Sequence, residues 1–248
     1  MDPNQPGDIP ALLQALQGKI DQLANGRSVR LIAVSKTQPP TAIRKFLLAG
    51  QRDFGENRPN EARAKIPLVP TADLSTARQP IYHHIGPLQS GNARQVAGLF
   101  HFVHGVSSWK ALEILHKACQ TYRSRSDEHY VMRYLIQLDL THEQSKAGGM
   151  DILDLQSFGP LPRDTGFYPC GFMCMGPTSQ DQLVTRQVFR ECAAIRDSIM
   201  PAGELSMGMS NDWQIAIQEG ATMIRLGTLL FGSRNSQPWR PAQANQSH

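Results

Sequence analysis

Three stretches of this 248-residue chain combine residue types and spacing that can do chemistry. The first is Leu31-Ile32-Ala33-Val34-Ser35-Lys36, an apolar run that delivers a single primary amine at its end. The second is Ser206-Met207-Gly208-Met209-Ser210-Asn211 and the third Arg225-Leu226-Gly227-Thr228. An amine held in a poorly solvated pocket gives up its proton more readily than one in water, and its neutral form can condense with a carbonyl to an imine. The two glycine-containing stretches suit an oxyanion. Glycine lets backbone N–H groups approach closely, Ser210 and Thr228 add hydroxyl donors, and a helix starting near Asn211 presents unpaired N–H groups. Arg225 falls within its strand, where its fixed charge could face a common mouth. Each feature has an ordinary alternative: a lysine at a strand end commonly points into solvent, and a glycine-serine turn before a helix is frequent. An amine and two phosphate-suited loops in one chain are more specific than any of the three.

The elements that must position these groups follow from periodicity. Leu31 to Lys36 has the continuous apolar character of a strand covered on both faces. Thr37, Gln38, Pro39 and Pro40 break it, and Thr41 is positioned to cap a helix ending at Gly50. Ahead of it, Ala11 to Leu23 carries a helical stripe. Beyond it come a short segment Arg52 to Phe54, a polar helix to about Lys65, an irregular connector Pro67 to Pro80, a strand Ile81 to Ile85 and a helix Ser90 to Gly98. Phe100 to Val106 is a strand, with Ser107-Ser108 capping a helix from Trp109 to about Tyr122. Val131 to Leu140 is the longest strand candidate. Asp151 to Phe158 suits a short helix, Pro160 to Pro169 a loop and Gly171 to Met175 a strand. Ser179 to Met200 reads as a long helix, Glu204 to Met207 as a strand, Asn211 to Glu219 as a helix and Met223 to Leu226 as the last strand. Strands separated by helices pair in parallel, and eight of them in this length predict a single (β/α)8 TIM barrel with an extra N-terminal helix that covers an end or edge. The domain division expected is a leader 1–10, a barrel 11–234 and a tail 235–248 rich in Gln, Asn, Ser and Pro.

Composition narrows the function. A hydrophobic fraction of 40%, a charged fraction of 19% and a net charge of +4 fit a globular protein with a large core, and the basic residues form no stripe that would indicate nucleic acid. No segment has signal-peptide or membrane-span character, so a cytoplasmic protein is expected, without a membrane partner. Cys119, Cys170, Cys174 and Cys192 form no CxxC pair; they read as buried free thiols, with Cys170 and Cys174 on one strand face and no metal site.

The chain resembles the pyridoxal phosphate homeostasis protein family, relatives of the barrel of alanine racemase. The matching segments are Ala33-Val34-Ser35-Lys36, Phe54-Gly55-Glu56-Asn57, His84-Ile85-Gly86 with Leu88-Gln89, Glu143 with Ser145-Lys146 and Gly148, Gly171-Phe172-Met173, Leu205 to Asp212, and Met223 to Gly232. It departs from the family pattern at Arg58-Pro59, at Tyr82-His83-His84 and at Gly91-Asn92. The resemblance implies a fold-type III site for pyridoxal 5′-phosphate, with Lys36 forming the Schiff base and the phosphate held by Met207, Gly208, Met209, Ser210, Gly227 and Thr228. It further implies that Arg225 faces the pyridine nitrogen, where a permanent cation disfavours protonation and makes the ring a poorer electron sink. Asn57 could reach the cofactor from strand two or cap the next helix, and Met173 could pack against the ring or serve as core. Of His83 and His84, alternating on one strand, one should point inward, as a satisfied core histidine with no carboxylate partner visible in the sequence. Glu143 and Lys146 suit an i,i+3 surface pair. The related racemases take a second acid/base tyrosine from outside the barrel, and none of the tyrosines here follows a catalytic motif. The expectation is a monomeric binding protein for pyridoxal phosphate in intracellular vitamin B6 homeostasis, without turnover; the alternative is an amino-acid racemase or other one-base enzyme. Sequence names no protein partner.

Overall fold

The computed structural model describes residues 8–141, 143, 148–157, 162–232 and 237–241. Eight parallel strands close into a barrel in sequence order: β1 (Arg30–Val34), β2 (Asp53–Glu56), β3 (Ile81–Pro87), β4 (Phe102–Val106), β5 (Met132–Gln137), β6 (Phe167–Met173), β7 (Glu204–Ser206) and β8 (Met223–Leu226). The helices are α1 (Ile9–Ala24), α2 (Pro40–Leu48), α3 (Pro59–Lys65), α4 (Ala93–Val96), α5 (Trp109–Arg125), α6 (Ile152–Ser157), α7 (Gln182–Ile199), α8 (Trp213–Gln218) and α9 (Thr228–Phe231). Closure joins β1 to β8, with Arg30 opposite Met223 and Ile32 opposite Arg225.

Two apolar clusters result from strand alternation. Ile32, Phe102, Leu135, Met173 and Met223, contributed by five different strands, fill the barrel interior. The larger cluster lies between barrel and helices and includes Leu16, Ile20, Phe46, Phe54, Leu112 and Phe189. Because successive residues of a strand face opposite sides, Ile32 inside implies Val34 on the same side; the strand ends there, and Lys36 follows in a turn closed by the Gln38 N–H donating to the Ser35 carbonyl at 3.0 Å.

Most elements lie where periodicity puts them, with physically readable differences. Helix α2 starts at Pro40 behind Pro39, which makes no side-chain cap, so Thr41 is inside the first turn. Proline's fixed φ suits the first helical position and does this work instead. Helix α4 keeps only four residues of the expected Ser90 to Gly98. Strand β5 ends at Gln137, and the longest strands are the seven-residue β3 and β6. Strand β6 reaches back to Phe167 through Pro169, because the register against β5 shifts between Tyr134 and Leu135 and leaves Cys170 unopposed, a bulge that tolerates a proline. That bulge puts Cys170 against the barrel interior and Cys174 in the outer cluster, so the two do not share a face. All four cysteines are free, three of them buried and Cys170 half-buried. Helix α1 begins at Ile9, with Asp8 accepting the Ala11 N–H at 3.1 Å. A closed barrel leaves no edge, and α1 instead packs beside α8, where Arg27 donates to the carbonyls of Ile217 and Ala221. Residues 1–7 of the leader, all of the tail except 237–241, and Ser145 and Lys146 lie outside the described residues. Among the described residues no helix is long and apolar enough to cross a membrane, and no cluster of metal-ligating side chains occurs.

Candidate functional site

The strand ends gather the candidate residues at one mouth. Register places Val34 opposite Gly55 and Ala33 opposite Leu226, so the ends of β2, β1 and β8 lie side by side, with Asn57 two residues beyond Gly55, Lys36 two beyond Val34, and Gly227-Thr228 directly after Leu226. Arg225 lies beside Ile32, on the interior face. The loop after β7 is tied to the same strand, since the Arg225 N–H donates to the Gly208 carbonyl at 3.0 Å. Lys36, Asn57 and Ser210 are half-buried, Thr228 is exposed and Gly227 buried. The Met207 side chain is fully buried in the outer cluster, whereas Met209 is exposed, so Met207 can offer the mouth only its backbone. Met173 lies in the interior cluster below the mouth. Helix α8 begins at Trp213, two residues later than expected, and Asp212 folds back to accept the Met209 N–H at 2.5 Å.

Gly208 is needed at its position. It has φ +90°, and a Cβ there would sit 2.6 Å from Ala216 Cβ and 2.8 Å from Trp213 Cα, so the loop is pressed directly onto α8. Gly208→Ala is expected to lose about 2 kcal/mol of stability through backbone strain and overpacking, measured by urea denaturation, and to displace the loop from its strand.

The backbone on either side of Lys36 is pinned from outside the barrel by a buried ionic cluster. Lys65, fully buried, places its Nζ 2.8 Å from Glu56 Oε1 and 3.0 Å from Glu61 Oε1, and donates to the Ser35 carbonyl at 3.0 Å. Ser35 Oγ donates to Glu56 at 2.7 Å, and the Thr37 N–H donates to Glu61 at 2.7 Å. Thr37 takes φ +67°, a left-handed conformation this bonding holds. Burial pushes the Glu56 carboxyl above its ordinary range, against the pull of the Lys65 ammonium. Sequence reading placed Lys65 on a polar helix face and assigned none of these roles.

Inside the barrel a second network reaches Arg225. Asp53 Oδ1 lies 2.8 Å from His83 Nε2, His83 Nδ1 lies 3.0 Å from His104 Nε2, and His104 Nδ1 lies 2.8 Å from Ser206 Oγ. Arg225 Nη1 donates to Ser206 Oγ and, at 2.8 Å, to the Ser206 carbonyl, while Nη2 donates to the Cys174 carbonyl. Burial lowers the His83 and His104 pKa values, favouring the neutral imidazoles. His83 is the inward histidine of its strand and is satisfied on both nitrogens; its carboxylate partner, Asp53, sits on the neighbouring strand. His84 faces the helices, stacks on Phe100 and is held by burial at a pKa of about 4. Glu143 accepts from the Thr178 N–H and hydroxyl, tying the loop after β5 to the one after β6.

The chain matches the family model described as "Alanine racemase, N-terminal domain" over residues 12–235. It is 33% identical over 241 residues to the "Pyridoxal phosphate homeostasis protein" of Escherichia coli strain K12, an alignment covering 92% of this chain and 97% of that one. Among solved structures it is similar to PipY of Synechococcus elongatus without PLP, with TM-score 0.76 and 34% identity, covering 91% of this chain and 100% of that one. PipY with PLP bound is similar at TM-score 0.74, with the same identity and coverage.

Proposed function

The chain belongs to the pyridoxal phosphate homeostasis protein family, and on that footing we propose that it binds pyridoxal 5′-phosphate as a Schiff base on Lys36 and acts in intracellular handling of this cofactor without catalytic turnover. The observation that carries the reading is register: β1, which leads into Lys36, lies between β2 and β8, and its interior residue Ile32 pairs with Arg225. The donor set fits the group. Lys36 would offer the amine, Ser210 and Thr228 hydroxyls and the Gly208 and Gly227 backbones suit the phosphate, and Arg225 is a buried cation on the strand beside β1. Met207 and Met209 complete the loop that shapes the phosphate end, and Asn57 borders the lysine.

Bound pyridoxal phosphate supplies an aldehyde for the amine and an electron-withdrawing ring. What the chain does with it follows from its own groups. A guanidinium, unlike a carboxylate, cannot support a protonated ring nitrogen, so electron withdrawal is weakened. The five tyrosines stand away from the mouth: Tyr122 is on α5, Tyr130 precedes β5, Tyr168 is near the start of β6, Tyr82 faces the helices, and the Tyr134 hydroxyl donates to the Pro162 carbonyl. With no tyrosine poised opposite Lys36, the site holds the cofactor rather than moving protons across it. A monomer in the cytoplasm, with pyridoxal phosphate as its covalent partner, completes this reading.

The test is the visible absorbance of the purified protein, followed by borohydride reduction and peptide mapping. The expected result is a Schiff-base band and one pyridoxyl group on the peptide containing Lys36. A protein that stays colourless with added cofactor and carries no label on that peptide would refute the assignment. Racemisation or α-hydrogen exchange of amino acids well above the rate with free cofactor would make it an enzyme instead.

A further inference from the structure

The interior network has a direction that its carboxylate end imposes and its guanidinium end permits. A guanidinium has no acceptor, so Ser206 Oγ must accept from Arg225, which keeps its own proton available for His104 Nδ1. A neutral His104 then carries its proton on Nε2 and donates to His83 Nδ1. From the other end, a carboxylate only accepts, so His83 must carry its proton on Nε2, facing Asp53. The two derivations meet in the same arrangement: Arg225 to Ser206 to His104 to His83 to Asp53, every proton pointing away from the mouth. The charged neighbours favour it. Arg30 and Arg133 lie over the Phe102 ring on which His83 stacks, and Arg30 Nε is 3.7 Å from Asp53, so cations surround the imidazoles and the single carboxylate drains the chain.

We propose that Asp53, His83, His104 and Ser206 form a positioning relay for Arg225, fixing the orientation in which its guanidinium faces the ring nitrogen of bound pyridoxal phosphate. The relay rests on the reading that Arg225 lies against that ring. It extends the site from the barrel mouth to Asp53, the first residue of β2, on the floor of the barrel. If the hydroxyl of Ser206 is turned the other way, Arg225 meets a proton instead of a lone pair, and its two remaining carbonyl partners do not define one rotamer. Disruption at the floor therefore changes the mouth without touching it.

The experiment uses the full chain labelled with 15N in histidine and arginine. In the protein without cofactor, long-range 1H–15N correlation is expected to show both His83 and His104 as neutral Nε2–H tautomers, with a sharp Arg225 Nε–H signal. Asp53→Ala is expected to mix the His83 tautomers, broaden the Arg225 signal and weaken retention of pyridoxal phosphate about tenfold, the factor that one lost hydrogen bond to a charged group carries. Asp53→Asn, whose carbonyl still accepts, is expected to restore most of all three readouts. Imidazolium or Nδ1–H forms in the wild-type protein would overturn the relay. So would an Asp53→Ala protein whose Arg225 signal and cofactor retention match the wild type even if its stability falls. A wild-type protein that takes no pyridoxal phosphate refutes the function proposed above; the relay is then judged on the tautomers and the Arg225 signal.

Discussion

Lys65→Met is expected to remove about 3–5 kcal/mol of folding stability near neutral pH, because it leaves two buried carboxylates with no cation between them. Glu56 and Glu61 side chains are 0% and 3% exposed, so water cannot replace the ammonium. One oxygen of each is already without a partner, which leaves little reserve. The effect has a pH signature. A carboxyl held above its ordinary value of 4.5 contributes stability that is present below that value and lost as pH rises through the raised one. Without Lys65 the Glu56 carboxyl rises further, so the gap between variant and wild type should be small at about pH 5 and wide at about pH 8. Urea titrations at both values measure it; equal losses would show that the cluster acts through packing alone. Glu56→Gln added to Lys65→Met is expected to recover part of the loss. The double variant also separates stability from site geometry, since the Ser35 carbonyl loses its ammonium donor while Glu61 still accepts from the Thr37 N–H and the strands remain.

Gly171→Ala is expected to be nearly as damaging, for a steric reason. Gly171 follows the β6 bulge with φ +152°, and a Cβ there would lie 2.0 Å from the Glu204 carbonyl oxygen and 2.5 Å from its nitrogen. Nothing at the contact is a side chain that could rotate away, so β6 and β7 must separate. The cost is about 3 kcal/mol or more, seen as a melting midpoint lowered by about 10 °C. Gly18→Ala on the exposed side of α1, where a Cβ meets nothing within 4 Å, is the control; it should stabilise by up to about 1 kcal/mol. An unchanged midpoint in Gly171→Ala would mean that the two strands are not in contact there.

The barrel was legible because apolar runs alternating with helical stripes leave few other architectures. Lys36 was legible as the single amine closing such a run, and the glycine loops as backbone able to approach an anion. What stayed hidden depends on register. His83 looked unpartnered because Asp53 lies thirty residues earlier and meets it only once β2 and β3 are aligned. Cys170 and Cys174 have the spacing of one face, and only the bulge at Cys170 separates them. Lys65 reads as a solvent-facing helix residue until α3 is laid over Glu56. The one cue was local: Glu61 and Lys65 are four apart on α3 and directly bonded.

Closure of the barrel between β1 and β8 has a consequence during synthesis. Arg30 pairs with Met223, so the lysine strand waits for nearly two hundred residues to be made before its second neighbour exists. Long-range pairing of this kind forms late. A nascent chain with β1 through β7 exposed has the amine but neither Arg225 nor the Gly227-Thr228 turn beside it. Until the last strand is in place, the strand leading into Lys36 is paired on one side only, to β2.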